Sequence, residues 1–120
     1  FLQGSDKVSG VRFPSLPGDP YHELAEKYLP NGSCGVVSFE LAGGREAAER
    51  FMAALKIAAI ETHVADASTC CLHPASSTHR QMTDDELVAA GISPAMVRMS
   101  CGLEGTDDLV ADIAQALEQA

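Results

Sequence analysis

The chain reads as an α+β domain: a small, mostly antiparallel sheet of about four to five strands with helices packed on one side. Three observations lead there. Short runs with the two-residue alternation of a half-buried strand are interspersed with longer runs of helical period. The helical runs are mostly apolar along one stripe only, so each needs one covering surface, and a single sheet can supply it. The 120 residues are 46% hydrophobic yet hold no Trp, two Tyr and four Phe, which suits one core built mainly from aliphatic side chains.

The elements follow in order. FLQGSDK reads as the last turn of a helix stopped by Gly4, which points to a chain cut from a longer one. Val8 to Phe13 (VSGVRF) alternates as a strand. After the turn-rich PSLPGDP, Asp19 is placed to cap a helix that starts on Pro20 and puts Tyr21, Leu24, Ala25 and Tyr28 on one face. Cys34 to Leu41 is a strand with Val37, Phe39 and Leu41 on one side. Beyond Gly43–Gly44 a helix carries Ala48, Phe51, Met52 and Leu55 on its apolar stripe. AIETHV and TCCLHP are two further short strands. Thr83 and Glu86 form a capping box for a short helix that Gly91 stops. Met96 to Cys101 (MVRMSC) is the last strand. Thr106 is placed to cap the final helix, with Asp107 and Asp108 in its first turn and Val110, Ile113, Ala114 and Leu117 on its buried stripe.

Charge excludes some functions. Eight basic against 17 acidic side chains give a formal net charge of -9, a field that repels nucleic-acid backbones and anionic membrane surfaces. No apolar run approaches the roughly 20 residues of a membrane span. Cys34, Cys70, Cys71 and Cys101 include no CxxC pair and are too sparse for a secreted disulfide framework. They read as reduced thiols of a cytoplasmic protein, packed as small core residues.

Candidate chemistry is limited to a few places. On the last strand, Val97, Met99 and Cys101 alternate with Met96, Arg98 and Ser100. An arginine at mid-strand between Val and Met is costly to bury without an anion. Three arrangements fit it: a solvated guanidinium, an internal pair with one of the 17 acids, or a fork aimed at a ligand's carboxylate. The pattern alone leaves all three open. HPASSTH, from His73 to His79, sets two histidines around a proline and three hydroxyls. A metal set of Cys71, His73 and His79 matches none of the usual zinc spacings, and the stretch reads as a structured turn. No cysteine has a basic cluster to activate it. Gly43–Gly44 lacks the GxGxxG pattern and the phosphate-loop lysine, and reads as a helix-start turn.

Three stretches, NGSCGVVSFELAGG, HPASSTH and VRMSCGLEGTDDLVADIAQAL, occur in this order. Together they resemble the C-terminal domain of the Cys/Met-metabolism enzymes that use pyridoxal phosphate. That family includes cystathionine synthases and lyases, methionine γ-lyase and O-acetylhomoserine sulfhydrylase. The resemblance covers nearly the whole chain, and KYLPNG and HPASSTHRQM are most similar to the sulfhydrylases. The chain departs at two places. FPSL, from Phe13 to Leu16, stands for the family's YPGL. The position ahead of the HPAS segment, commonly Ser or Asn near cofactor and substrate, falls at His63.

The resemblance implies that residues 1–120 are the small C-terminal domain of a fold-type I enzyme, part of a parent about three to four times as long. It implies sulfhydrylase activity in methionine and cysteine biosynthesis, with sulfide or a thiol replacing the acyl group at the γ carbon of an O-acylated homoserine. Arg98 matches the arginine of the family's VRLSVGLE strand, which binds the substrate's α-carboxylate; His63 would lie beside the substrate. HPASSTH resembles an active-site-edge loop that supports Arg98. Pyridoxal 5'-phosphate is expected in the parent, on a lysine of a preceding large domain. None of Lys7, Lys27 and Lys56 matches that lysine, so these 120 residues alone are expected to be inactive and to bind neither cofactor nor metal. The implied partners are the amino-acid substrate, the N-terminal cofactor domain of the same chain, and further copies in a homotetramer. Two alternatives stay open: a methionine γ-lyase or cystathionine γ-synthase or lyase of the same family, and a free-standing small-molecule binding or interaction domain without catalysis.

Overall fold

A computed structural model describes residues 1–120. Its strands are β1 (Val8–Arg12), β2 (Val36–Leu41), β3 (Ala59–Ile60), β4 (Cys70–Leu72) and β5 (Met96–Ser100). Its helices are α1 (His22–Tyr28), α2 (Gly44–Ala54), α3 (Asp84–Ala89) and α4 (Thr106–Leu117), with 3-10 turns at Leu2–Gly4 and Pro74–Ser76. The strands form one sheet in the order β1-β2-β5-β4-β3. Three pairings are antiparallel, and only β3 runs parallel to its neighbour β4. The sheet is therefore the mixed, mostly antiparallel one that the sequence predicts, and β5 lies at its centre.

The core forms where α2 and α4 cover one face of the sheet. Phe39, Leu41, Cys71, Val97 and Met99 pack there against Ala48, Phe51, Met52, Ile113 and Leu117. Phe39 meets Phe51 edge-to-face with ring centroids 5.5 Å apart, the arrangement favoured by aromatic quadrupoles. Alternation then sends Arg98 and Ser100, next to Val97 and Met99, to the other face. Arg98 pairs in register with Ser38 on one side and Leu72 on the other. No helix is long and apolar enough to cross a membrane.

Several local expectations need correction. Asp19 does not cap a helix at Pro20, because α1 starts at His22. Its carboxylate instead accepts the Tyr21 amide at 2.9 Å and the Arg12 Nε–H at 3.1 Å. The face shared by Tyr21, Leu24, Ala25 and Tyr28 is buried only at Ala25, since the short α1 stands at the molecule's margin. Thr106 is the first residue of α4 and makes no capping bond; Gly105 is the N-cap. The buried stripe of α4 runs through Leu109, Asp112, Ile113, Ala116 and Leu117, leaving Val110 and Ala114 half-buried. Only Cys70 and Cys71 are core cysteines, while Cys34 and Cys101 are exposed; all four are free thiols. The Thr83–Glu86 capping box is present in full.

Asp112 explains the shifted stripe. It is 4% exposed, and its carboxylate accepts the amides of Lys56, Ile57 and Ala58 at 2.9, 2.9 and 3.0 Å. The Gln115 side chain adds a further bond at 3.0 Å. A long-range carboxylate thus ties the α2–β3 connection to α4, and the helix turns its acid inward to reach it.

Candidate functional site

Arg98 projects from the central strand, on the face that α2 and α4 leave open, and is half-buried. Its Nη2 donates to the carbonyl oxygens of Thr62 at 2.8 Å and His63 at 3.4 Å. No carboxylate lies within ion-pair distance of it. The Nε–H and both Nη1–H donors have no partner in the chain, although the chain holds 17 acids. The internal ion pair is thereby removed from the three arrangements open to this arginine. What remains is a guanidinium anchored through Nη2, with its Nε–H and Nη1–H donors free for a ligand's carboxylate; a two-pronged grip would pair one of them with a hydrogen of Nη2.

The loop that anchors it runs from residue 62 to 69, where two predicted strands prove far shorter than expected. AIETHV is a strand only over Ala59–Ile60, and TCCLHP only over Cys70–Leu72. The intervening backbone bonds instead to the segment from Arg98 to Glu104. Ser100 Oγ accepts the Ala65 amide at 2.9 Å, and the Leu103 amide donates to the Ala67 carbonyl at 2.8 Å. Thr69 is fully buried. Its amide and hydroxyl donate to the two oxygens of Glu104, each at 2.7 Å, while its hydroxyl accepts the Gly102 amide at 2.8 Å. The Thr69 amide and hydroxyl hold the Glu104 carboxyl below the usual glutamate range.

VRMSCGLE is thus a physical unit. A Cβ on Gly102 would lie 2.5 Å from the Thr69 nitrogen and 2.6 Å from the Ser68 carbonyl carbon, and would also strike the Ala67 carbonyl oxygen. Those atoms are backbone and cannot swing away. Gly102→Ala should therefore destabilise the protein by about 2 kcal/mol, as overpacked sites do. A thermal melt checks this, with an unchanged Tm as the contrary result.

HPASSTH braces β5 from the other side. His73 is 1% exposed. Its Nε2 lies 2.8 Å from the Pro94 carbonyl oxygen and must donate to it; its Nδ1 then accepts the Ser76 hydroxyl at 2.8 Å. Pro94 lies two residues ahead of β5. The Ser77 hydroxyl donates to the His73 carbonyl at 2.6 Å, and the His79 amide to the Pro74 carbonyl at 2.9 Å. Arg45 of α2 bonds Asp84 and, at 3.0 Å, the Ala75 carbonyl. Both His73 nitrogens are committed, and burial pushes the Cys71 thiol up to about 12. No three His, Cys, Asp or Glu side chains converge as metal ligands.

His63 meets Arg98 through its backbone carbonyl, while its imidazole is exposed, with Nδ1 3.8 Å from an Asp66 oxygen. Of seven hollows on the surface, five, of 250 to 490 Å³, are lined by neither Arg98 nor His63. The arginine is half-buried on the sheet face away from α2 and α4, beside the buried Leu72 and Ser100. The loop's contacts on β5 and the Asp112 bonds were invisible to periodicity. The one available signal for the former was the pairing of Gly102 and Glu104 behind Arg98 in a single motif.

The residues present do not fit a pyridoxal cofactor. Lys7 donates to the Ala120 carbonyl at 3.1 Å and borders a hollow beside α4, across the sheet from Arg98. Lys27 lies over the Tyr28 ring, and Lys56 is exposed. None of the three lysines bonds the Thr62 and His63 carbonyls that hold Arg98.

A family model described as Cys/Met metabolism PLP-dependent enzyme matches residues 1–118. The chain is 44% identical over 117 residues to O-acetyl-L-homoserine sulfhydrylase 1 of Thermus thermophilus, covering 98% of this chain and 28% of that protein. It is 42% identical over 120 residues to a homocysteine synthase of Schizosaccharomyces pombe, covering 100% and 28%. It is 40% identical over 119 residues to an L-methionine gamma-lyase of Fusobacterium nucleatum, covering 99% and 30%. A crystal structure described as an O-acetylhomoserine (thiol)-lyase of Campylobacter jejuni, which carries a pyridoxyl-lysine monophosphate, superposes with a TM-score of 0.88 at 38% identity. That match covers 98% of this chain and 28% of the other. The chain spans under a third of the length of these relatives.

Proposed function

The chain belongs to the Cys/Met-metabolism PLP-dependent enzyme family, and on that premise we propose that it is the substrate-facing C-terminal domain of an O-acetylhomoserine sulfhydrylase. The observation that carries the reading is Arg98: an arginine on the central strand, fixed by two carbonyls and left without an acid. Its free donors would receive the α-carboxylate of an amino acid and so fix the substrate's orientation. His63, whose carbonyl holds the same guanidinium, would border the substrate. HPASSTH would hold the strand in place through His73 and Pro94.

The donors of Arg98 that find no partner in this chain support a site completed by a larger, N-terminal cofactor domain of the same parent. We assign the cofactor lysine to that domain, because Lys7 is bonded to the Ala120 carbonyl, Lys27 lies over Tyr28 and Lys56 is exposed at the end of α2. The parent reaction would exchange groups at the γ carbon: the carbon–oxygen bond to the acyl group breaks, the acid leaves, and sulfide or a thiol forms the new carbon–sulfur bond. The parent is proposed to be a cytoplasmic homotetramer.

The 40% identity to an L-methionine gamma-lyase supports a second reading, γ-elimination without sulfide. The full-length enzyme, supplied with O-acetylhomoserine and sulfide or with methionine alone, separates the two. The sulfhydrylase reading expects sulfide-dependent homocysteine and little release of methanethiol. Methanethiol formed from methionine at a higher kcat/KM would overturn it in favour of the lyase.

A further inference from the structure

We propose that Ser100 is a positioning residue for the Arg98 site, acting through the 62–69 loop. The proposal rests on the reading of Arg98 as the carboxylate-binding group. Ser100 and Arg98 are two residues apart on β5 and share the face turned away from α2 and α4. Ser100 is 2% exposed and is held in the ladder on both sides, opposite Val36 and Cys70. Its hydroxyl oxygen accepts the Ala65 amide at 2.9 Å. Ala65 is the one non-glycine residue with positive φ, at 59°. That conformation is disfavoured for an L-residue, so the loop needs an anchor where it turns.

The same turn supplies the carbonyls of Thr62 and His63 that hold Nη2 of Arg98. Two side chains of one strand therefore grip one loop, a hydroxyl at Ala65 and a guanidinium two and three residues earlier. The central strand is the fixed member and the loop the adjustable one. Without the Ser100 bond, Ala65 is free to leave its strained conformation. The Thr62 and His63 carbonyls would then move, and the guanidinium edge offered to the substrate would move with them. Ser100 touches no substrate in this arrangement; it sets where the loop lies, and the loop sets Arg98.

The test uses the full-length enzyme with Ser100→Ala, Arg98→Ala and the double substitution. Loss of one neutral hydrogen bond should raise KM for the amino-acid substrate about fivefold in Ser100→Ala, with kcat changed by less than about twofold. Amide exchange should rise in peptides spanning residues 61–68 and not in β2 or α2. In the Arg98→Ala background, Ser100→Ala should change KM by less than about twofold, because the group it positions is gone. An unchanged KM, unchanged exchange in 61–68, or the same KM increase in both backgrounds would overturn the proposal while the carboxylate reading stands on the Arg98→Ala enzyme itself. Conversely, an Arg98→Ala enzyme with normal KM would overturn the carboxylate reading, and with it the claim that Ser100 acts on substrate binding.

Discussion

Arg98→Ala in the full-length enzyme should lower kcat/KM for the amino-acid substrate by about 30- to 1,000-fold, or roughly 2–4 kcal/mol. A charge-assisted pair in a partly dry site exceeds a neutral hydrogen bond, and in this chain no other lysine or arginine bonds the loop at Thr62 and His63. Arg98→Lys should recover only part of the loss, since an ammonium restores charge without the two-pronged geometry. The fold should survive both changes, because Val97 and Met99 face the core and Arg98 faces away from it. Steady-state kinetics beside a thermal melt tests this. Unfolding on Arg98→Ala, or a kcat/KM within about threefold of wild type, would make Arg98 a structural residue.

Asp112→Ala should destabilise the protein by about 3 kcal/mol, because it strands three backbone amides that now share one carboxylate. The Lys56, Ile57 and Ala58 amides lie 54 to 56 positions away in sequence, so no local rearrangement of α4 can serve them. Asp112→Asn should be milder, since one amide oxygen can still accept. Burial would by itself raise the Asp112 pKa, but the amides of Ala58, Ile57 and Lys56 and the Gln115 side chain together bring it below the ordinary aspartate value. A lowered folded-state pKa gives stability that is present above the unfolded value, about pH 4, and fades as pH falls through the folded value. The stability gap between wild type and Asp112→Asn should therefore be full at neutral pH and shrink below about pH 4. Urea unfolding at several pH values measures it, and a gap that widens on acidification would contradict the assignment.

How far the sequence discloses this molecule depends on the range of the interactions. β5 is legible because a single charge interrupts an apolar alternation, and because alternation alone assigns Arg98 to the face opposite Val97 and Met99. The Thr83–Glu86 capping box is legible because it closes within three residues. Asp112 is not, since an acid inside an apolar helical stripe has no local signature when its partners lie across the molecule. The Asp19 and Thr106 caps fail for a related reason: both residue types suit a cap, but Asp19 is taken by Tyr21 and Arg12, and α4 starts one residue earlier than a Thr106 cap requires. The site is half legible. Sequence points to Arg98 and to the HPASSTH brace, yet Thr62 to Val64 and Thr69, at the two ends of the 62–69 loop, look like strand because they continue Ala59–Ile60 and Cys70–Leu72. Its bonds to Ser100, Leu103 and Glu104 decide otherwise.

The central claim is that Arg98 recognises the carboxylate of an amino acid. Its most direct measurement compares inhibition of the full-length enzyme by an unreactive amino acid and by the matching amine in which hydrogen replaces the α-carboxylate. Wild type should bind the amino acid far more tightly than the amine. In Arg98→Ala the amino acid should lose about 30-fold or more in affinity while the amine changes by less than about threefold, so that the preference collapses. If Arg98→Ala weakens both inhibitors by the same factor, the arginine shapes the site without meeting the carboxylate, and the account fails.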